Sequence, residues 1–132
     1  MGHRFLDHTG EVEVELSGKR AEEVFAEAAS ALGELLADGE PPGKPARWLP
    51  LSLAGGERGR LLVDFLEELI FLAEREGLVP CAATVELTPE GLEGEVGFAE
   101  RPPNGLVKAA TLHNLRFEER PEGVVATVVL DV

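Results

Sequence analysis

Glu11-Val12-Glu13-Val14-Glu15-Leu16 alternates acid and aliphatic without a break. A period of two can bury one side only as a β-strand, so Val12, Val14 and Leu16 face a core and the three glutamates face away. Before it stands Leu6-Asp7-His8-Thr9-Gly10, led by the short apolar pair Phe5-Leu6. These polar, ligand-type side chains are expected on a turn or bulge ahead of the strand, a position rigid enough to hold a site. At the far end, Leu130-Asp131-Val132 follows a valine-rich strand. If that strand lies beside the first, an aspartate plus a terminal carboxylate supplies oxygen ligands to a hard cation. The expectation is that the Glu11 and Asp131 strands are neighbours in one sheet.

From Ala21 the period changes. Ala21, Val24, Phe25, Ala28, Leu32, Leu35 and Leu36 recur at three- and four-residue steps, with Glu22, Glu23 and Glu27 opposite, which predicts a helix. It should stop near Asp38-Gly39, because Pro41-Pro42-Gly43 makes continuation costly. Leu49, Leu51 and Leu53 alternate as a strand, and Pro50 within it suggests an edge or a strand start. A second helix is predicted from Glu57 or Arg58 to Glu76, capped by Gly77, with an apolar face broad enough to pack on two sides. Four strands follow, at Cys81 to Leu87, Leu92 to Phe98, Lys108 to Phe117 and Val124 to Asp131. The order implies an α+β protein in which two helices pack on one face of a mainly antiparallel β-sheet, with residues 1–132 forming one domain.

Twelve Lys and Arg against 25 Asp and Glu give a net charge of −13. That disfavours autonomous binding to nucleic acid and favours a cation or a basic protein surface as partner, unless the acid serves solubility alone. The apolar stretches are too short to span a membrane and no basic-then-apolar leader precedes them, so a cytoplasmic location is expected. Cys81, the single cysteine, cannot form an internal disulfide; it reads as a small buried hydrophobe rather than a reactive thiol. GxGxxG, GxxxxGK[ST], paired CxxC, HExxH and GxSxG are all absent. Of the three histidines, His8 and His113 stand out only because each sits beside other polar candidates. Asp7 and Glu11 would suit acid–base work, though no substrate pocket is evident. Lys108 is either a solvated strand-end lysine or a cation that relieves repulsion at the acidic site or contacts a partner.

Five segments in register resemble the archease family: Asp7-His8-Thr9-Gly10-Glu11, Gly18 to Phe25, Leu61 to Leu72 followed by Glu76-Gly77-Leu78, Val107 to His113, and Asp131-Val132. The resemblance implies an accessory protein of the GTP-dependent RNA ligase that joins 3′-phosphate to 5′-hydroxyl ends in tRNA splicing and RNA repair, promoting ligase guanylylation and multiple turnover. It also implies a divalent cation, calcium in the first instance with magnesium or manganese as alternatives, held by Glu11, Asp131 and Val132 with Asp7 nearby. His8, Lys108 and His113 become candidates for partner contact and activation. The family's His-Thr-Ala-Asp reads His-Thr-Gly-Glu here; the glutamate is one methylene longer, and Gly10 gives the backbone freedom to accommodate it. The leading expectation is thus a non-enzymatic ligase activator that does not itself bind RNA tightly. The alternatives are a small metal-dependent hydrolase built on Asp7, His8, Glu11 and Asp131, and a general protein-interaction or chaperone-like module.

Overall fold

A computed structural model describes residues 1–132, the side chain of His8 excepted. The alternating run forms β2 (Glu11–Gly18), with Val12, Val14 and Leu16 all buried. On one side it pairs with β7 (Gly123–Asp131), whose Val124, Ala126, Val128 and Leu130 continue the same apolar face. On the other it pairs with β1 (Gly2–His8), an edge strand that the alternation did not announce. Asp7 and His8 therefore end a strand, and only Thr9-Gly10 make the turn, with Gly10 at φ 74°. A two-residue hairpin favours such positive φ, and glycine adopts it without a Cβ penalty. The reason β1 is hard to read is its composition: His3, Arg4 and Asp7 interrupt the apolar pattern because their tips reach solvent or helix carboxylates.

The α+β class with two helices and antiparallel strands holds, and the strands divide into two sheets. The larger has the order β1-β2-β7-β6, where β6 is Ala109–Arg120. The smaller has the order β3-β5-β4, from β3 (Arg47–Ala54), β4 (Val79–Thr88) and β5 (Gly91–Ala99). Alternation reveals a strand's buried face but not its hydrogen-bonding partner, which is why the division was not legible. Pro50 does lie on an edge strand, β3. Gly94 admits the β4 main chain: a Cβ there would stand 2.1 Å from the Thr84 carbonyl oxygen.

Both helices contact both sheets. Helix α1 (Ala21–Leu36) lies against β2 and β4, and α2 (Arg58–Glu76) against β6, β3 and β4. Glu57 caps α2, its carboxylate accepting from the Gly59 and Arg60 N–H groups, and Gly77 ends it in the left-handed region. Between the helices Phe25 meets Phe65 edge-on, centroids 5.4 Å apart, and Phe117 of β6 closes on Phe25 from the other side. Phe25 and Phe65, both fully buried, each contribute roughly 1.5–3 kcal/mol of transfer free energy. Cys81 is half-buried in β4; burial pushes its thiol up from the ordinary range, and Sγ lies 3.5 Å from the Gly97 carbonyl oxygen. That is the environment of a structural cysteine.

Candidate functional site

Glu11 opens β2 and Asp131 ends β7, and the register sets them directly opposite each other. The Val132 N–H donates to the Gly10 carbonyl at 3.1 Å, a bond that flanks the pair. Glu11 and Asp131 are therefore a non-hydrogen-bonded pair, the kind in which facing side chains come closest, with Cα atoms about 4.5 Å apart. Their side chains share the face of the sheet opposite Val12 and Leu130, away from the helices. Neither carboxylate has a basic partner among the described residues.

The main chain of Asp131 turns the other way. Its carbonyl accepts the Lys108 N–H at 2.8 Å, so the residue before β6 is fastened to the end of β7. The Lys108 side chain is exposed. Register places Asp7 opposite Val12, on the other face of the sheet from Glu11 and Asp131, so the strand pairing does not bring Asp7 to them. His8 pairs with Glu11 along the backbone, and its side chain lies outside the described residues. His113 sits in a β6 bulge: between Thr111, opposite Val129, and Arg116, opposite Thr127, four residues stand against one. It is exposed, its N–H donating to Thr111 Oγ1. That bulge interrupts the regular strand pairing between Thr111 and Arg116.

Two carboxylates and main-chain oxygens form an oxygen-only donor set, which suits calcium, magnesium or manganese better than zinc. Among the described residues no group of three or more His, Cys, Asp or Glu side chains could hold a metal ion. A cation at this corner would thus draw further ligands from the main chain, such as the Val132 oxygen, or from water.

One site residue escaped the sequence. Glu67, on the exposed side of α2, accepts the Ala110 N–H through Oε1 at 3.0 Å and so fixes the start of β6 next to Lys108. Its role depends on α2 running beside β6, and no local pattern encodes that.

The archease protein family model matches residues 3–132. The chain belongs to the archease family. Archease proteins of known sequence support this along the whole length. That of Archaeoglobus fulgidus is 30% identical, covering 100% of both chains, and that of Thermococcus gammatolerans is 31% identical over 89% of this chain and 88% of its own. Among solved structures, that of Methanobacterium thermoautotrophicum protein 1598 superposes with a TM-score of 0.77 at 27% identity, covering 99% of each chain. An archease from Thermotoga maritima, described as a possible chaperone, shares the fold with a TM-score of 0.67 at 22% identity, covering 96% of this chain and 94% of its own. No helix is long and apolar enough to cross a membrane.

Proposed function

We propose that this archease-family protein is a non-enzymatic activator of a GTP-dependent RNA ligase joining 3′-phosphate and 5′-hydroxyl ends, and that it acts in the cytoplasm by speeding ligase guanylylation. The observation that carries the reading is the Glu11–Asp131 pair: two facing carboxylates, without a described cationic partner, on a sheet face that no helix covers. Like charges directly opposite on neighbouring strands are destabilising, so the arrangement calls for an external cation or a basic surface. Glu11, Asp131 and the Val132 main-chain oxygen would hold a divalent cation, calcium in the first instance, which supplies positive charge between the two carboxylates when bound. With Lys108 tied to the same corner, the site offers a ligase a fixed pattern of charges rather than a pocket for a small substrate. The overall charge of −13 supports attraction to a protein that must itself be basic to hold RNA and GTP, and opposes direct RNA binding.

The test is the rate of radiolabelled GMP transfer to the cognate ligase. Wild-type protein should accelerate it and Asp131→Ala should not, with a retained cooperative melting transition showing that the variant is folded. A wild type without effect would sink the assignment. A chaperone-like role, the description given to the Thermotoga protein, would instead raise the yield of soluble ligase without raising GMP transfer per ligase molecule.

A further inference from the structure

Arg4, Glu15, Thr127 and Arg116 stand in one row across β1, β2, β7 and β6, each directly opposite the next. The row is on the face turned away from the helices, since the neighbouring Leu16 and Ala126 are the buried residues. Arg120 lies four residues beyond Arg116 and so falls on the same side of β6. Arg4, Glu15, Ser17, Arg116, Arg120 and Thr127 line a hollow of about 450 Å³ that is open to solvent. Ion pairs join its walls. Arg4 donates to Glu15 through Nε at 2.7 Å and through Nη2. Glu15 in turn is near enough to Arg116 to help hold that guanidinium charged, after Glu118, its direct partner. Arg116 grips Glu118 with Nε and Nη2 at 2.7 and 3.1 Å, and Arg120 joins the same carboxylate. Arg116 foremost, with Arg120, pulls the Glu118 carboxyl down to about 2, so it is charged throughout the ordinary pH range. Three guanidiniums thus share two carboxylates.

The balance of donors and acceptors decides what the hollow can take. A guanidinium carries five N–H donors. Arg4 and Arg116 each spend two of them on these pairs and Arg120 spends one, so most are left without an acceptor among the described residues. The Glu15 and Glu118 carboxylates, by contrast, each already accept two bonds or more. Spare donors together with a surplus positive charge call for an anion rich in acceptor oxygens. We infer that this hollow binds a phosphate group, either inorganic phosphate or a small phosphate monoester. A tetrahedral phosphate offers oxygens to several guanidiniums at once, and the planar fork of arginine matches them two at a time. The Thr127 hydroxyl, in the middle of the row, adds a neutral donor. The net charge of −13 opposes any approaching anion, so the attraction is local, acting within roughly 8 Å at physiological salt. Weak, millimolar binding of a compact anion follows, and a long polyanion is disfavoured. The Glu11–Asp131 corner shares this sheet face but lies four residues along β2 from Glu15, about 13 Å away, so the two sites do not overlap. The inference is independent of the ligase reading.

The experiment titrates the full-length protein with inorganic phosphate and, separately, with glycerol phosphate, at constant ionic strength, following the backbone amides by heteronuclear NMR. Saturating shifts should appear at Arg4, Glu15, Arg116, Arg120 and Thr127 with either probe. The double variant Arg116→Gln/Arg120→Gln should bind at least tenfold more weakly, whereas Lys44→Gln, in the loop before β3, should bind as wild type does. Since the double change removes two ion pairs from β6, Arg4→Gln provides a second variant on another strand and should weaken binding at least threefold. Tighter binding of glycerol phosphate identifies a monoester as the ligand, and equal or tighter binding of inorganic phosphate identifies the free anion. Shifts that fail to saturate, or that spread alike over Lys19, Lys44 and Arg60, overturn the site by showing general anion attraction. Undiminished binding by the folded variants overturns it as well.

Discussion

The imidazole of His3 is held between two carboxylates of α1, Nδ1 by Glu27 and Nε2 by Glu34, the latter at 2.6 Å. An edge strand is thereby clamped to a helix through a single ring. Burial alone would lower the pKa of His3, but the hydrogen bonds its ring donates to Glu34 and Glu27 and the charges of both carboxylates outweigh it, and the net shift is upward.

The sign of the resulting pH dependence follows. A histidine whose folded pKa exceeds its unfolded value of about 6.5 adds stability in full below that value and loses it as pH rises through the folded pKa. Phe5 lies against the ring, with centroids 5.2 Å apart, and Leu16 is the partner of His3 across the ladder. The stability difference between wild type and His3→Gln should be largest near pH 6 and should shrink above the folded pKa. Urea titrations at several pH values check this, and an NMR titration of His3 should place its midpoint above 6.5.

Replacing Glu11 by Gln removes one of two facing like charges. Without divalent cations the variant should be more stable than wild type by a few tenths of a kcal/mol, up to about 1. With millimolar calcium the order should invert, because only the wild type gains binding free energy. Melting curves with calcium and with chelator report both. If calcium fails to raise the wild-type melting temperature, the cation proposal is lost.

Two glycines should respond differently to alanine. At Gly33 a Cβ would stand 1.8 Å from the Pro80 carbonyl oxygen, so α1 and β4 must separate. The gain in helix propensity, about 1 kcal/mol, cannot offset overpacking there, and we expect a net loss of about 3 kcal/mol or more. At Gly77 nothing lies within 4 Å, but φ is 66°, and the cost should be confined to backbone strain of about 1–2 kcal/mol. Denaturant midpoints separate the two cases.

Lys108→Ala should leave stability within about 0.5 kcal/mol, since its side chain is exposed and its main-chain bond to Asp131 survives the change. GMP transfer to the ligase should nevertheless lose its stimulation. Full stimulation by the folded variant would reduce Lys108 to a solvated surface lysine.

Where sequence reasoning succeeded, one local rule governed the outcome. Periodicity located both helices and six of the seven strands, and Gly77 stands where a helix stop requires it. The meeting of Glu11 with Asp131 was legible only by chemical argument, because 120 positions separate them and no pattern encodes a long-range ladder. Asp7 shows the limit of proximity in sequence: four residues from Glu11, it falls on the opposite face because a tight turn reverses the chain between them. Glu67 was invisible for the same reason, since its acceptor role exists only once a helix and a distant strand lie side by side.

The pairing of β2 with β7 has a consequence for biogenesis. The larger sheet sets β2 beside β7, so its two inner strands cannot zip together until Asp131 has left the ribosome. Until then β2 lacks its inner partner, although α1 can already pack on β4, and closing so long a chain loop makes folding slow. A nascent or truncated chain lacking β7 would expose an apolar strand edge open to aggregation. The acidic corner therefore forms only once β7 has been made, so a partner that reads Glu11 and Asp131 together cannot engage a chain that still lacks that strand.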